Sequence, residues 1–172
     1  ENAAVDARTR ADAYNRAADC LYCQRQFDRA AGYYTKAYDL CPQAGDYPLF
    51  QLAEMSGYRR DYAKRISTLD RMTSLFPSSP LVPDALMAKA ESLAATGRHR
   101  EAGAVYESVS TDYAATAQGR RAALMLAVSR LDEGDRNGAM DAYRAVVERY
   151  PSSDEARSAL DDLKQLYADE GR

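Results

Sequence analysis

The stretch ESLAATGRHREAGAVYESV, residues 91–109, contains two short helical patterns on either side of Gly97. After this glycine, Ala102, Tyr106 and Val109 follow one another at intervals of four and three positions. Side chains at this spacing lie along one stripe of a helix, as they do on a buried face. A glycine between two such patterns favours a turn, because it adopts a left-handed backbone at low cost. The stretch therefore predicts two helices joined at Gly97.

The same arrangement recurs along the whole chain. Four stripes of this kind begin at Phe27, Tyr62, His99 and Arg136. The helices that carry them end at Pro42, Pro77, Ala114 and Pro151, which are 35, 37 and 37 residues apart. A steady period near 36 is typical of a repeat architecture, and another helical stretch precedes each stripe. The sequence therefore predicts an all-α fold, an α-α superhelix of antiparallel helix pairs.

We expect a single domain over residues 1–172 that is part of a longer protein, because the chain ends where a turn should lead into another helix. Ser152 followed by Glu155 fits a capping box, and Pro83 fits the first turn of a helix. The predicted repeats are residues 11–44, 45–79, 80–116 and 117–153, with the first helix of a fifth repeat at residues 154–172.

Composition narrows the classes of function. Of the 172 residues, 46% are hydrophobic and 28% charged, which is ordinary for a globular domain. The net charge of −3 gives no reason to expect nucleic acid as a partner. No run approaches the roughly 18 apolar residues of a membrane helix, so we expect no membrane span. Glycine-rich phosphate loops, paired zinc motifs and nucleophile elbows are absent from the sequence, and we expect neither a cofactor nor catalysis.

An enzyme or metal protein would have to use Cys20, Cys23 and His99. The two cysteines form a C-x-x-C, but it lies in a helical pattern, and zinc needs about four ligands. We interpret the cysteines as small packing residues, while a disulfide from Cys41 to either of them remains an alternative. His99 occupies an aromatic position of the repeat and is interpreted as a packing residue.

In register, these repeats resemble the tetratricopeptide repeat. Its eighth position is small, as at Ala18, Ala53, Ala90 and Ala127, and its fourth is aromatic, where this chain has Tyr14, Leu49, Leu86 and Ala123. The second repeat departs most, because Arg65 stands where alanine is expected, so close packing of its two helices is in question. The 37-residue spacing with YPSSDEA, residues 150–156, is also similar to repeats of bacterial cell-envelope proteins. This resemblance implies the periplasm or cell envelope, with the cytoplasm as the alternative.

The resemblance implies a protein-interaction scaffold that binds a peptide or protein surface along a concave groove made by the first helix of each pair. Asp12 lies at one of the groove positions, and the predicted binding residues are Asn15, Asp19, Tyr22, Tyr47, Phe50, Glu54, Asp84, Met87, Glu91, Arg121, Leu124 and Val128. Because acids outnumber bases, a clamp for a peptide carboxylate is not expected. A ligand presenting Lys or Arg beside apolar anchors fits better, with Tyr47, Phe50 and Met87 as exposed contacts.

Other interpretations stay open. The apolar groove residues could instead contact a neighbouring turn of the superhelix, and the chain could be a structural spacer within a larger helical-repeat protein of the cell envelope. The basic runs GRHRE at 97–101, Arg59-Arg60 and Arg120-Arg121 are interpreted as solvated surface rather than as sites for an acidic partner. The ends of a shortened array can also self-associate, since a missing neighbour leaves an apolar face uncovered.

Overall fold

The computed structural model describes residues 2–169 and residue 171, with side chains from residue 6 onward. Residues 1, 170 and 172 of the predicted domain lie outside the described residues. A short 3-10 turn, Pro42–Ala44, follows the second helix, and no strand occurs in the described ranges. The α-helices there are α1 (Asn2–Cys23), α2 (Phe27–Leu40), α3 (Asp46–Tyr58), α4 (Tyr62–Leu75), α5 (Val82–Ala95), α6 (His99–Asp112), α7 (Ala117–Asp132), α8 (Arg136–Arg149) and α9 (Asp154–Asp169).

The chain divides into two compact units, unit 1 (Glu1–Ala85) and unit 2 (Leu86–Arg172). Within unit 1, helix α1 packs on α2, α2 on α3, and α3 on α4. Within unit 2, α6 packs on α7, α7 on α8, and α8 on α9. Neighbours in sequence are thus neighbours in space, and the predicted all-α helical-repeat fold is confirmed.

The core of each unit is built from the predicted stripes. Three of the four stripes have a fully buried ring, with Tyr34 1%, Tyr106 0% and Tyr143 2% exposed, and the second stripe has Leu69, 1% exposed, at this position. The small residues predicted to face the second helix, Ala18, Ala53, Ala90 and Ala127, are each 0% exposed. Alanine at these positions lets two helix backbones approach closely, while each tyrosine fills the space beside them. Truncating such a buried ring to alanine costs about 3–5 kcal/mol, so these positions fix the fold.

Turn and cap residues set the ends of the helices. Gly97 (φ 77°) and Gly134 (φ 82°) adopt the left-handed backbone predicted for the turns within repeats. Pro83 lies in the first turn of α5, as expected. The predicted capping box is wrong by one residue, because Ser153 rather than Ser152 caps α9: its Oγ accepts a 3.0 Å hydrogen bond from the amide of Ala156. Since α9 begins at Asp154, the residue before it is the one whose side chain reaches the free amides.

Arg65 is accommodated inside the second repeat. Its side chain is only 13% exposed and its Nη2 lies 2.6 Å from Oε1 of Glu54, on the partner helix. A Cβ built on Gly57 would come within 2.9 Å of Arg65 Nε, so glycine at that position leaves room for the guanidinium. The contact between α3 and α4 therefore uses an ion pair where the other repeats use alanine.

Candidate protein-binding face

In unit 1, the carboxylate of Asp19 on α1 is hydrogen-bonded to two tyrosine side chains. Its Oδ1 accepts hydrogen bonds from the hydroxyl of Tyr34 on α2 (2.6 Å) and from that of Tyr47 on α3 (2.7 Å). The two rings meet edge to face with centroids 6.2 Å apart. Burial and the bond to Asp19 raise the pKa of Tyr47 to about 12, and the same causes raise the pKa of Tyr34. Both hydroxyls therefore stay protonated and donate to Asp19 at neutral pH.

The negative charge of Asp19 is not neutralised by these bonds, because both donors are neutral. The other predicted acids of this face are paired with cations: Asp12 with Arg16 at 2.9 Å, and Glu54 with Arg65 at 2.6 Å. Within the described part of unit 1, Asp19 forms no ion pair. Of the predicted acids of α1 and α3, it is therefore the one whose charge is available to a ligand.

Asn15 lies one turn before Asp19 on α1, and its Oδ1 is buried without a hydrogen-bond partner among the described residues. A buried acceptor without a donor is unfavourable by about 1–3 kcal/mol. Asn15 Oδ1 and the carboxylate of Asp19 are both acceptors on the same side of the helix, since residues four apart are neighbours on a helix surface.

Half-buried aromatic side chains lie on the same two helices, α1 and α3. Tyr22, Tyr47 and Phe50 are all half-buried, so each ring has an exposed part and a packed part. Tyr22 and Tyr47 pack against the cluster of Ala18, Ala30 and Tyr34. We call the set of Asp12, Asn15, Asp19, Tyr22, Tyr47, Phe50 and Glu54 the α1/α3 face.

The predicted groove residues of unit 2 are arranged differently. Arg121 on α7 donates from Nη2 to Oε1 of Glu91 on α5 at 2.8 Å, so acid and base neutralise one another. Leu124 and Val128 are partly buried against the core cluster of α7, α8 and α9. The expectation that Met87 is exposed is wrong, because this side chain is only 5% exposed. Its unbranched side chain fills space in the packing and offers no contact area to a ligand.

Comparison with known proteins identifies the repeat. Residues 11–44 and residues 121–153 each match the family model of the tetratricopeptide repeat (TPR). The chain is a TPR protein. TPR proteins are in general protein–protein interaction scaffolds, they bind proteins or peptides, and they are generally not enzymes.

Solved structures of other TPR proteins share the fold. YrrB, described as a TPR protein with an unusual peptide-binding site, is 16% identical with a TM-score of 0.68, over 92% of this chain and 76% of its own. MamA from Desulfovibrio magneticus RS-1 is 16% identical with a TM-score of 0.71, over 92% and 93%. The Sgt2 TPR domain from Aspergillus fumigatus is 23% identical with a TM-score of 0.59, over 75% and 83%. No curated protein matches the sequence.

The three cysteines and His99 are the other residues of this TPR protein that the sequence analysis considered for a metal or catalytic site. Cys20 and Cys23 lie on α1 as expected but are exposed, so their interpretation as packing residues is wrong, and all three cysteines are free thiols with Cys41 buried. His99 begins α6, and its Nδ1 lies 3.4 Å from Asp132 Oδ2. In the described residues, no three His, Cys, Asp or Glu side chains form a metal-ligand group. None of the helices described has both the length and the apolar character needed to cross a bilayer.

Sequence reasoning missed two parts of the α1/α3 face. Tyr34 lies in the predicted buried stripe that begins at Phe27, and only the structure shows that its hydroxyl reaches Asp19. Arg65 was treated as a departure from the repeat, although it neutralises Glu54. The second signal was present in the sequence, because a base at a buried repeat position requires an acid nearby.

Proposed function

We propose that this TPR protein is a non-enzymatic scaffold whose α1/α3 face binds a protein or peptide that presents Lys or Arg beside an apolar side chain. The observation that carries the proposal is the state of Asp19: two tyrosine hydroxyls fix its carboxylate, which forms no ion pair with any of the described residues. A cationic ligand group supplies the positive charge that would pair with the Asp19 carboxylate.

Preorganisation supports this choice of ligand. The two tyrosine bonds hold the carboxylate in place before a ligand arrives, so binding does not have to order it. A charge-assisted hydrogen bond is roughly twice as strong as a neutral one. Half-buried rings beside it supply rigid contact area at low cost in side-chain entropy, which is why tyrosine is common at positions that dominate binding energy.

The face of unit 2 is a weaker candidate on the same criteria. Glu91 and Arg121 already satisfy each other, and a ligand has to break that pair before it can use either charge. Glu91, Arg121, Leu124 and Val128 of unit 2, and Asp84 of unit 1, remain predictions as binding residues, and Met87 does not belong to the proposed site. On the sequence resemblance alone, we also propose the bacterial cell envelope as the place of action.

A peptide selection tests the proposal. A display library of random 12-residue peptides is selected on the wild-type chain, and the enriched clones are then bound to Asp19→Asn and to the control Asp39→Asn. Asp39 is an exposed acid on α2, so both variants change the net charge equally. Circular dichroism verifies that all three chains have the same helix content.

We expect a class of clones rich in Lys or Arg next to Leu, Phe or Tyr, which binds the wild type and the control but not Asp19→Asn. If the selection enriches no clones, or if the enriched basic clones bind Asp19→Asn as well as the wild type, the proposal is wrong. In that case the chain is better explained as a structural spacer within a longer helical protein.

A further inference from the structure

The turns inside the first two repeats differ from the later ones in residue type. Gly97 and Gly134 occupy the left-handed position in repeats three and four, but Arg25 (φ 60°) and Arg60 (φ 57°) occupy it in repeats one and two. A left-handed backbone is unfavourable for any residue with a Cβ, and glycine avoids this cost. A non-glycine residue there is uncommon, and strained backbone positions are concentrated at functional sites. The arginines therefore require a reason other than the turn itself.

An exposed aromatic cluster lies beside these turns. Phe27 stacks on Tyr58 with centroids 5.4 Å apart and planes 12° apart, and Tyr22 contacts both rings at 5.7 and 6.0 Å. The hydroxyls of Tyr22 and Tyr58 are 2.6 Å apart, which fixes the two rings relative to each other. Tyr58 is 54% exposed, an unusual position for a large ring.

The cluster forms one wall of an open cavity of about 590 Å³ at the turn side of unit 1. Arg25, Arg29 and Arg59 line this cavity, and Asp28 is the one acid among its lining residues. Asp28 pairs with Arg59, and Arg29 donates to the side chain of Gln26. The guanidinium of Arg25 forms no ion pair in the described part of the chain. The cavity therefore has an excess of positive charge in a protein whose net charge is −3.

We propose that this site, which we call the arginine turn site (Arg25, Phe27, Arg29, Tyr58 and Arg59), binds an acidic protein segment that presents an apolar or aromatic side chain. Carboxylates of the segment pair with the arginines, which suit planar, two-point recognition, and its ring or aliphatic chain packs on Tyr58 and Phe27. The site lies at the turns rather than on the α1/α3 face, and its ligand has the opposite charge.

An acidic protein segment fits better than the other anionic partners. Nucleic acid binding relies on many phosphate contacts along a basic track, whereas this protein is acidic overall with one small basic site. Membrane binding by a surface helix requires a broad apolar face with basic residues along it, whereas here three rings are held against one another. A cavity of this size matches a few side chains of a peptide.

The same peptide library tests this site through other variants. The enriched clones are bound to Arg25→Gln/Arg59→Gln, to Tyr58→Ala, and to the control Arg100→Gln/Arg157→Gln. Arg100 and Arg157 are 92% and 76% exposed in unit 2, so the control removes the same charge elsewhere. Circular dichroism and melting temperature show that the variants are folded.

We expect a class of clones rich in Asp or Glu next to Phe, Tyr or Leu, which binds wild type and control but loses at least about tenfold in affinity on both site variants. These clones should bind Asp19→Asn normally, so the two proposals can fail separately. Absence of acidic clones, or acidic clones that bind Arg25→Gln/Arg59→Gln unchanged, overturns the proposal.

Two direct probes exclude the other partners. Vesicles of phosphatidylcholine with phosphatidylserine, and a single-stranded 20-nucleotide DNA, are each mixed with wild type and with Arg25→Gln/Arg59→Gln. The proposal predicts no binding that depends on these arginines. Binding of either probe that the double variant abolishes would assign the site to a lipid surface or to nucleic acid instead.

Discussion

Units 1 and 2 are built from the same repeat, but their charged side chains are paired differently. In unit 2, Glu91 and Arg121 pair across two first helices, and glycines occupy the turns. In unit 1, Asp19 has two tyrosine donors but no cation partner among the side chains that the structure describes, and arginines occupy the turns. Unit 2 therefore follows the rules of stable packing more closely, while unit 1 has features that packing alone does not explain. We infer that binding is concentrated in unit 1.

The largest expected effect concerns the second repeat, where an ion pair replaces the usual alanine. Arg65→Ala should lower the free energy of unfolding by about 2–3 kcal/mol, because it leaves Glu54 without its partner and a cavity beside Gly57. This holds even though the equivalent Ala30 and Ala102 are stable alanines elsewhere in the chain. Guanidinium chloride unfolding measures the loss, with exposed Arg100→Ala as the control. A loss no larger than the control's would show that the pair is dispensable.

The next comparison is between two buried tyrosines. Tyr34 donates to Asp19, whereas the buried hydroxyl of Tyr106 has no hydrogen-bond partner among the described residues. Tyr34→Phe should therefore cost about 1.5 kcal/mol, while Tyr106→Phe should be neutral or stabilise by up to about 1 kcal/mol. Denaturant unfolding of the two variants gives both numbers. Equal losses would mean that the bond to Asp19 contributes nothing particular to unit 1.

Alkaline pH probes the same hydroxyls. Burial first, and then the bond to Asp19, raise the pKa of Tyr34 in the folded chain. Above the ordinary tyrosine pKa near 10, the unfolded chain loses this proton while the folded chain keeps it, so stability falls as pH rises. The loss attributable to Tyr34 is at most about 1.4 kcal/mol per pH unit. Unfolding measured at pH 8, 10 and 11 should show a shallower decline for Tyr34→Phe than for wild type, and parallel declines would contradict this.

The smallest effects concern the turns. Arg25→Gly and Arg60→Gly should each raise the free energy of unfolding by up to about 1 kcal/mol, because relief of the left-handed strain exceeds the extra freedom of glycine in the unfolded chain. Gly97→Ala and Gly134→Ala should each lower it by about 1 kcal/mol. Thermal melts of the four variants test this. If the arginine variants are destabilised instead, the arginines support the turns and the reason for proposing a site there disappears.

Much of the fold could be predicted from the sequence. The spacing of residues in the stripes that contain Tyr34, Tyr106 and Tyr143 predicts which side chains face inward, because the side chains on a buried helix face recur with the helical period. Gly97 and Gly134 likewise predict their turns, because the left-handed backbone of these turns favours glycine. These features are local, and one sequence is enough to show them.

The functional features depended on contacts between distant residues. Asp19 and Phe50 were recognised as groove positions, but only the structure shows that Tyr34 and Tyr47 fix the carboxylate. The prediction that Met87 is exposed is wrong, because the helical period gives the direction of a side chain but not how far neighbouring side chains cover it. The sequence indicated only solvated surface at Arg60 and gave no signal at Arg25, since a positive φ at a residue other than glycine cannot be seen in sequence.

The measurement that tests the central claim most directly is the affinity of one basic, apolar peptide from the selection for wild type, Asp19→Asn and Glu91→Gln, by isothermal titration calorimetry. The account predicts at least about tenfold weaker binding to Asp19→Asn, equivalent to about 1.4 kcal/mol, and a change within about twofold for Glu91→Gln. Equal affinities for all three chains, or a larger loss for Glu91→Gln, would contradict the claim that unit 1 carries the binding site.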